Sequence, residues 1–231
     1  MTAATSTAAT STAAQHSAKR HSAKRNLAAQ IAQTPDTESV RDFSPGPGIV
    51  RLGKFFDPAR LDTALDEALA VDGWRGELVK AISLTQIPGD ADSQRGNNLR
   101  GLYWTRPDGT YNEVAREEKV AEEQFSAFVD EYAHTYFHEV WRVLSSIAKI
   151  GRTRLLMMAP RKTLSWHRDP EPRLHVPVRT NPGALMIVNG HCTHLPADGS
   201  VYFTDTRGYH VALNGGEEER VHLVATLPLD A

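Results

Sequence analysis

Cysteine is almost missing from this chain: Cys192 is the only one in 231 residues. A single thiol excludes an intramolecular disulfide and any multi-cysteine zinc or iron–sulfur site, and it suits a reducing compartment. Beside β-type sequence it reads as a small residue filling space rather than as a reactive thiol. Long hydrophobic runs are also lacking, and none approaches the roughly 18 to 20 residues needed to cross a bilayer. The expectation is a soluble, cytoplasmic protein with no membrane partner. Nor is there an excess of charge of one sign. Lys and Arg total 26 against 28 Asp and Glu, a formal net charge of -2, which gives no field to collect nucleic acid or an anionic surface. Any ligand must be recognised by a local arrangement. With 40% hydrophobic and 23% charged residues, the composition is that of an ordinary globular protein, and the length fits one domain plus a tail.

Acidic residues are absent before Asp36, where TAATS repeats over Thr2 to Ser11 and HSAKR over His16 to Arg25. Short polar repeats bury too little apolar area to offset their ordering entropy. Residues 1–40 are therefore assigned to a low-complexity tail, disordered from Met1 to about Thr34. With Lys19, Arg20, Lys24 and Arg25 it faintly resembles an organelle transit peptide, but a solvated tail is the reading adopted. Residues 41–231 form the expected domain, with a helical and loop-rich part over 41–150 and a β core over 151–231.

Asp57 caps a helix that starts at Pro58 and carries Leu61, Leu65 and Leu69 at i, i+4 spacing, ending at Gly73. From Gly76 to Tyr111 short apolar pieces alternate with Gly, Asn, Asp and Arg, which predicts strands joined by long loops. Between Asn112 and Ala148 Gly and Pro are absent. Phe125, Val129, Tyr132, Tyr136, Val140, Leu144 and Ile147 recur there at helical spacing, predicting one long helix or two. Beyond Gly151 the pattern turns to short β-type runs: RLLMMA, TLSWH, RLHVPVRT, ALMIV, SVYFTD, YHVAL and RVHLVATL. Turn signals separate them, among them Asn181-Pro182-Gly183, Ala197-Asp198-Gly199 and Asn214-Gly215-Gly216. Such spacing predicts a mainly β fold, an antiparallel barrel or sandwich, with the helices buttressing one outer face.

His167 and Asp169 are two apart, so on an extended chain imidazole and carboxylate leave the same face side by side. His210, in an apolar strand before a tight turn, is the strongest third ligand. Two histidines and one carboxylate on one face of a metal make the triad used by iron(II) oxygenases. Folding the chain about Gly215 would set Arg220 opposite His210, roughly 5 Å away at Cβ and on the same face. Its planar guanidinium fits a carboxylate bidentately, as the far end of a dicarboxylic cosubstrate requires. Arg173, His175 and Arg179 alternate with Leu174, Val176 and Val178. One face is polar, and buried cationic groups need an anionic partner, either cosubstrate or substrate.

Taken together, LLMMAPRKTLSWHRD, RLHVPVRTNPGALMIVNG, SVYFTDTRGYHVALNGG and ERVHLVATL resemble the aspartyl/asparaginyl β-hydroxylase group of 2-oxoglutarate oxygenases, including the bacterial cis-proline hydroxylases. The resemblance covers about Arg154 to Leu227. It implies a double-stranded β-helix of jelly-roll, cupin-like type. His167, Asp169 and His210 would be Fe(II) ligands, Arg220 ten residues beyond His210 would bind 2-oxoglutarate, and Arg173 and His175 would contact the same cosubstrate. O2 is the implied oxidant. Asp169 sets the chain apart from the animal aspartyl/asparaginyl hydroxylases, which lack a carboxylate ligand there, and tilts the substrate toward a small amino acid, free or within a peptide or carrier-bound intermediate.

Several features carry alternatives. The HRD triplet also occurs in protein kinases, but a Gly-rich phosphate loop and a DFG triplet are both missing. His134 and His138 have zinc-ligand spacing without the HExxH glutamate, and read as helix-face residues among aromatics. His191 and His194 near Cys192 read as a loop or barrel rim rather than zinc ligands. His222, in phase with Arg220, either lines the interior or fills it. Arg100 and Trp104 are candidates to hold substrate, as is Arg179. A cupin-like metal-binding module without redox turnover, acting as sensor or binding protein, is the rival function, and Arg220 discriminates because such a module needs no carboxylate receptor beside its metal.

Overall fold

A computed structural model describes residues 5–33, 48–76, 80–95, 104–105, 114–115 and 120–228. Three α-helices, α1 (Thr5–Gln33), α2 (Pro58–Val71) and α3 (Tyr136–Ile147), accompany the strands among these residues. The strands of the first half are β1 (Ile49–Lys54), β2 (Lys80–Ser83), β3 (Thr85–Gln86), β4 (Trp104–Thr105), β5 (Val114–Ala115) and β6 (Ala127–Phe128). Those of the second half are β7 (Thr153–Met158), β8 (Lys162–Thr163), β9 (Arg173–Arg179), β10 (Ala184–Val188), β11 (His191–His194), β12 (Ser200–Thr204), β13 (His210–Asn214) and β14 (Arg220–Thr226). A six-stranded sheet runs β1-β12-β9-β14-β7-β2, a four-stranded sheet runs β11-β10-β13-β8, and β3–β6 and β4–β5 are small ribbons. The two larger sheets are antiparallel throughout and form a double-stranded β-helix.

The period-2 rule divides the large sheet into two unlike faces. Register pairs Leu174 with Phe203 and Ala225, Val176 with Leu223, and Leu223 with Leu155. These residues join Leu61, Ala64, Leu65 and Ala68 of α2 and Phe137, Val140, Leu144 and Ile147 of α3 in one apolar core. The helices thus cover the sheet's outer face, as the alternation of RLHVPVRT requires. The opposite, inward phase carries Arg154 on β7, Arg173 and His175 on β9, Thr204 on β12, and Arg220, His222 and Thr226 on β14, all of them buried. A smaller apolar cluster of Met186, Val188, Leu195 and Tyr202 is separate from the core under the helices.

Local chemistry accounts for α2: the Asp57 side chain accepts from the Ala59 and Arg60 amides at 2.8 and 3.3 Å, and Pro58 follows it. The long helix expected over 112–148 shortens to α3. Among the described residues before it, Glu122–Gln124 and Asp130–Tyr132 are single 3₁₀ turns, and β6 pairs with β3. Phe125, Val129 and Tyr132 are still buried. Their spacing marks burial, but the Val129 amide bonds the Leu84 carbonyl at 2.9 Å instead of continuing a helix.

The expected solvated tail is also different: α1 lies against β1 and α3, with Ala23 and Leu27 buried in the main core. Ala, Lys, Arg and Gln are good helix formers, and Ala23, Leu27 and Ile31 repeat every fourth residue, which makes a narrow apolar stripe. Tertiary packing supplies what such repeats lack in isolation. Residues 34–47, where folded sequence is expected to begin, lie outside the described residues.

Phe137 has no exposed surface and Leu27 only 2%. Phe137→Ala is expected to cost about 3–5 kcal/mol and Leu27→Ala about 2–3 kcal/mol. Each kcal/mol lowers Tm by about 2–4 °C in a domain of this size, so thermal unfolding of the full chain reads both. An unchanged Tm for Leu27→Ala would mean that α1 is not docked.

Candidate active site

After β8 the chain continues alongside β13, with the Leu164 amide donating to the Ala212 carbonyl at 3.0 Å. His167 and His210 then form an isolated antiparallel bridge and exchange both backbone hydrogen bonds, at 3.2 and 3.0 Å. Directly paired residues project from the same face, and the two rings have centroids 4.2 Å apart. Two residues on, the Asp169 amide donates to the Thr206 carbonyl at 2.8 Å, which ties the H-x-D segment to the β12–β13 loop. The result is a set of ligand atoms from His167, Asp169 and His210 all within 4.8 Å of one another, with Asp169 Oδ2 at 3.6 Å from His210 Nε2.

The backbone also orients the rings. His167 Nδ1 lies 2.7 Å from the Ser165 carbonyl and His210 Nδ1 lies 3.1 Å from the Gly208 carbonyl. A carbonyl can only accept, so each Nδ1 carries a proton, and in the neutral ring the lone pair is on Nε2. Burial, and then His167, push the His210 pKa down to about 3 against the opposing pull of Asp169. Burial alone would raise the Asp169 carboxyl, but Arg173, His210 and His167 hold it well below the usual carboxylate range. A neutral imidazole and an ionised carboxylate are the forms in which these side chains bind a metal. Two imidazole nitrogens and one carboxylate oxygen suit Fe(II).

Asp169 is anchored by a buried chain of charged groups. Arg173 Nε donates to Asp169 Oδ2 at 2.8 Å and its Nη1 to Thr226 Oγ1 at 2.9 Å. Thr226 Oγ1 donates in turn to Glu122 Oε2 at 2.9 Å, and Arg152 grips both Glu122 oxygens at 2.9 and 2.5 Å. Glu122 and Thr226 were not foreseen as part of the site, and no spacing signals them. Glu122 sits in a 3₁₀ turn outside the β core and becomes relevant only because Gly151 and Arg152 close on it, the Arg152 amide bonding the Glu122 carbonyl at 2.9 Å. A Cβ at Gly151 would meet that carbonyl oxygen at 2.4 Å, so only glycine allows the approach.

The hairpin expected to bring Arg220 opposite His210 does not form. β13 pairs with β10 and β8, while β14 pairs with β7 and β9 in the other sheet. The turn after Asn214 crosses between sheets, because the Asn214 amide is spent on the carbonyls of Met158, Ala159 and Glu218 and Gly216 packs on Asn181. Arg220 is 5% exposed, with Nη2 at 2.9 Å from His222 Nδ1. Among the described residues no carboxylate pairs with it, and burial alone pulls its pKa down to about 10. His175 lies beside it, Nδ1 to Nδ1 at 3.2 Å from His222, and the Nε2 atoms of both histidines are buried without a hydrogen-bond partner. Burial first, then Arg220, lower both imidazole pKa values well below the usual range; Arg173 and His210 add to this at His175.

Arg179 is not brought to this group. The register of β9 on β14 shifts between Val221 and His222, so Arg179 pairs with Val221 of the outer phase and Val178 is left over. That extra residue turns the Arg179 side chain out to Asp62 and Asp66 of α2. Arg100 lies outside the described residues, and of Trp104 only the strand is described. His138 stacks among Phe128 and Trp141, as its helix position suggests. Cys192 is exposed on β11 rather than filling space, because β11 is the outer strand of its sheet. His191 and His194 occupy the same strand, and among the described residues His167, Asp169 and His210 are the group placed to hold a metal.

Residues 126–228, a little under half of the chain, match the family described as Aspartyl/Asparaginyl beta-hydroxylase. No curated protein matches the chain. Among solved structures it is similar to an oxidoreductase of the 2OG-Fe(II) oxygenase family from Burkholderia pseudomallei, with 15% identity, a TM-score of 0.50 and 88% of each chain covered. A viral collagen prolyl hydroxylase from Paramecium Bursaria Chlorella virus-1 aligns at 13% identity and a TM-score of 0.44, over 81% of this chain and 98% of the other. At 15% identity the likeness to the Burkholderia pseudomallei structure is one of fold alone. No helix among the described residues is long and apolar enough to cross a membrane.

His175 and His222 are neutral when folded and bind protons near pH 6.5 when unfolded. Stability is therefore complete above about pH 6.5 and falls as the pH drops below it, because protons then bind the unfolded chain in preference to the folded one. Thermal unfolding of the metal-free protein between pH 7.5 and 5 is expected to reveal this loss, well above the carboxylate range near pH 4. His222→Phe should remove one proton's worth of the slope, and a flat profile down to pH 5 would contradict the burial of both imidazoles.

Proposed function

We propose that this chain, whose residues 126–228 match the Aspartyl/Asparaginyl beta-hydroxylase family, is a 2-oxoglutarate oxygenase that hydroxylates an unactivated C–H bond of an amino acid, free or within a peptide or carrier-bound intermediate. In this reading His167, Asp169 and His210 hold Fe(II) and Arg220 binds the distal carboxylate of 2-oxoglutarate. The observation that carries it is the convergence of three metal-binding side chains from two segments, within 4.8 Å of one another, in the protein interior that also holds a buried guanidinium. Iron(II) held there would supply the oxidative chemistry, in which O2 is the oxidant, 2-oxoglutarate is converted to succinate and CO2, and one oxygen atom goes to succinate and the other to the substrate C–H bond.

The chain's own groups set the geometry. Ser165 and Gly208 carbonyls hold both imidazoles through Nδ1. Arg173, with Nε on Asp169 and Nη1 on Thr226, steadies the ligand carboxylate instead of gripping the cosubstrate. Arg220 takes the cosubstrate role because a fixed, desolvated guanidinium pairs strongly with a carboxylate. Val188 stands directly opposite His210 and Tyr202 opposite His175, so apolar surface adjoins both and limits water. The amino-acid class of the substrate is supported by the family match and by the presence of Asp169, as in the hydroxylases of free amino acids. A metal-binding module without turnover has no use for the buried charge of Arg220, and the reading set against it accounts for that charge.

Anaerobic addition of Fe(II) and 2-oxoglutarate should produce the metal-to-ligand charge-transfer band of a chelated keto acid, and in air an amino-acid panel should yield succinate. Asp169→Ala is expected to abolish both. Arg220→Ala should weaken 2-oxoglutarate by about 10- to 100-fold, the loss of one charge-assisted bond or more, with iron affinity within about twofold on the same scale. Normal turnover in Asp169→Ala, or equal losses of iron and cosubstrate in Arg220→Ala, would contradict the assignment.

A further inference from the structure

Pro170 directly follows the candidate ligand Asp169, and it affects the chain there in two ways. A following proline disfavours helical backbone at Asp169. It also has no N–H, so the segment has no backbone donor at residue 170 to bind the loop beside it. Thr206 bridges that gap. Its carbonyl accepts from the Asp169 amide at 2.8 Å and its Oγ1 donates to the Glu171 carbonyl at 2.6 Å, one bond on each side of the proline. Thr206 is only 1% exposed, so water does not compete for that hydroxyl. The turn that carries it is closed on itself. The Gly208 amide donates to the Asp205 carbonyl at 3.2 Å, and the buried Asp205 carboxylate accepts from the Arg207 amide and Nε at 3.3 and 2.9 Å. The turn is also fastened from outside, by the Asp205 amide to the Gly48 carbonyl at 2.7 Å and by the Asn189 amide to the Tyr209 carbonyl at 3.0 Å.

We propose that Thr206 is a positioning residue for the metal site: by gripping the chain on both sides of Pro170, it sets where the Asp169 carboxylate stands relative to the two imidazoles before any ion binds. This deepens the oxygenase reading above and rests on its Fe(II) triad. Arg173 holds the carboxylate by its tip, through Oδ2, while Thr206 holds the backbone from which it projects. The two controls are separate, because a carboxylate held only by its tip still shifts with its own Cα. One turn then serves both ligand segments, through the Thr206 carbonyl and hydroxyl for Asp169 and through the Gly208 carbonyl for His210. The buried Asp205–Arg207 pair keeps those two carbonyls at a fixed spacing. Loss of such an outer partner of a metal ligand typically weakens metal binding by about 10- to 100-fold.

Thr206→Ala and Thr206→Ser differ by one hydroxyl, which separates the bond to Glu171 from the space the side chain fills. Anaerobic calorimetric titration of the full chain with Fe(II) should show binding about 10- to 100-fold weaker in Thr206→Ala, with most of that loss recovered in Thr206→Ser. Thr135 supplies the control, since its buried hydroxyl donates to the Tyr132 carbonyl at 2.8 Å at the start of α3. Thr135→Ala should lower the Tm of the metal-free protein as Thr206→Ala does, yet keep wild-type Fe(II) affinity. Hydrogen exchange of the metal-free chain reads the clamp with no ion present. The Asp169 amide should be protected in the wild type and in Thr206→Ser and exchange faster in Thr206→Ala, while the His210 amide keeps its protection. Wild-type Fe(II) affinity in Thr206→Ala, an equal loss in Thr135→Ala, no recovery in a folded Thr206→Ser, or an unprotected Asp169 amide in the wild type overturns the proposal alone. A wild type that binds no Fe(II) overturns it together with the oxygenase reading, whereas one that binds Fe(II) but not 2-oxoglutarate overturns that reading alone. If Thr206→Ala does not fold, Thr206→Val removes the same hydroxyl, and exchange in the wild type still decides.

Discussion

The pair of backbone hydrogen bonds between His167 and His210 is the constraint on which the rest of the site depends. These two bonds, at 3.2 and 3.0 Å, join the H-x-D segment to β13 beyond β8. They fix register, and register fixes faces. A slip by one residue would send one imidazole to the other side of the sheet. The Asp169–Thr206 bond at 2.8 Å holds the next part of the segment against the loop that leads into His210, so all three candidate ligands are referred to one local framework.

Charge is the second constraint. Asp169, Arg173, Thr226, Glu122 and Arg152 form an unbroken hydrogen-bonded chain, buried from Arg173 onward, that runs from the candidate ligand carboxylate to a 3₁₀ turn outside the β core. Buried ions are costly to desolvate, and their retention is weak evidence for stability. Here they hold a carboxylate in one orientation and in its ionised form, which is what a metal ligand requires. Arg220 stands apart from that chain. Its neighbour in hydrogen bonding is an imidazole, and because no carboxylate pairs with this buried guanidinium among the described residues, the proposed function gives it the cosubstrate carboxylate.

Much of this was legible in the residues. The i, i+2 spacing of His167 and Asp169 implied a shared face, and the alternation of RLHVPVRT implied an oily side for the helices and a polar side for the interior. The structure has both faces. Pairing partners were not legible. A Gly-rich turn after Asn214 looks the same whether it closes a hairpin or crosses between sheets, and only the contacts of Asn214 and Asn181 decide. The bulge at Val178 is equally silent in sequence, although it alone removes Arg179 from the interior. The Asn189-Gly190 turn, with φ of 50° and 81°, separates β10 from β11 and is not among the turns read from the sequence, although Asn-Gly is a hairpin signal. Apolar spacing over 125–147 marked burial correctly and helix only in part, because β3 supplies a competing partner.

The central claim is that two imidazoles and one carboxylate from paired segments hold one iron atom. X-ray absorption at the iron edge of the anaerobic Fe(II) and 2-oxoglutarate complex tests it most directly. The account predicts outer-shell scattering from two imidazole rings with oxygen completing the inner shell, and one ring in His210→Ala. A spectrum without imidazole scattering, or one unchanged by His210→Ala, would contradict it.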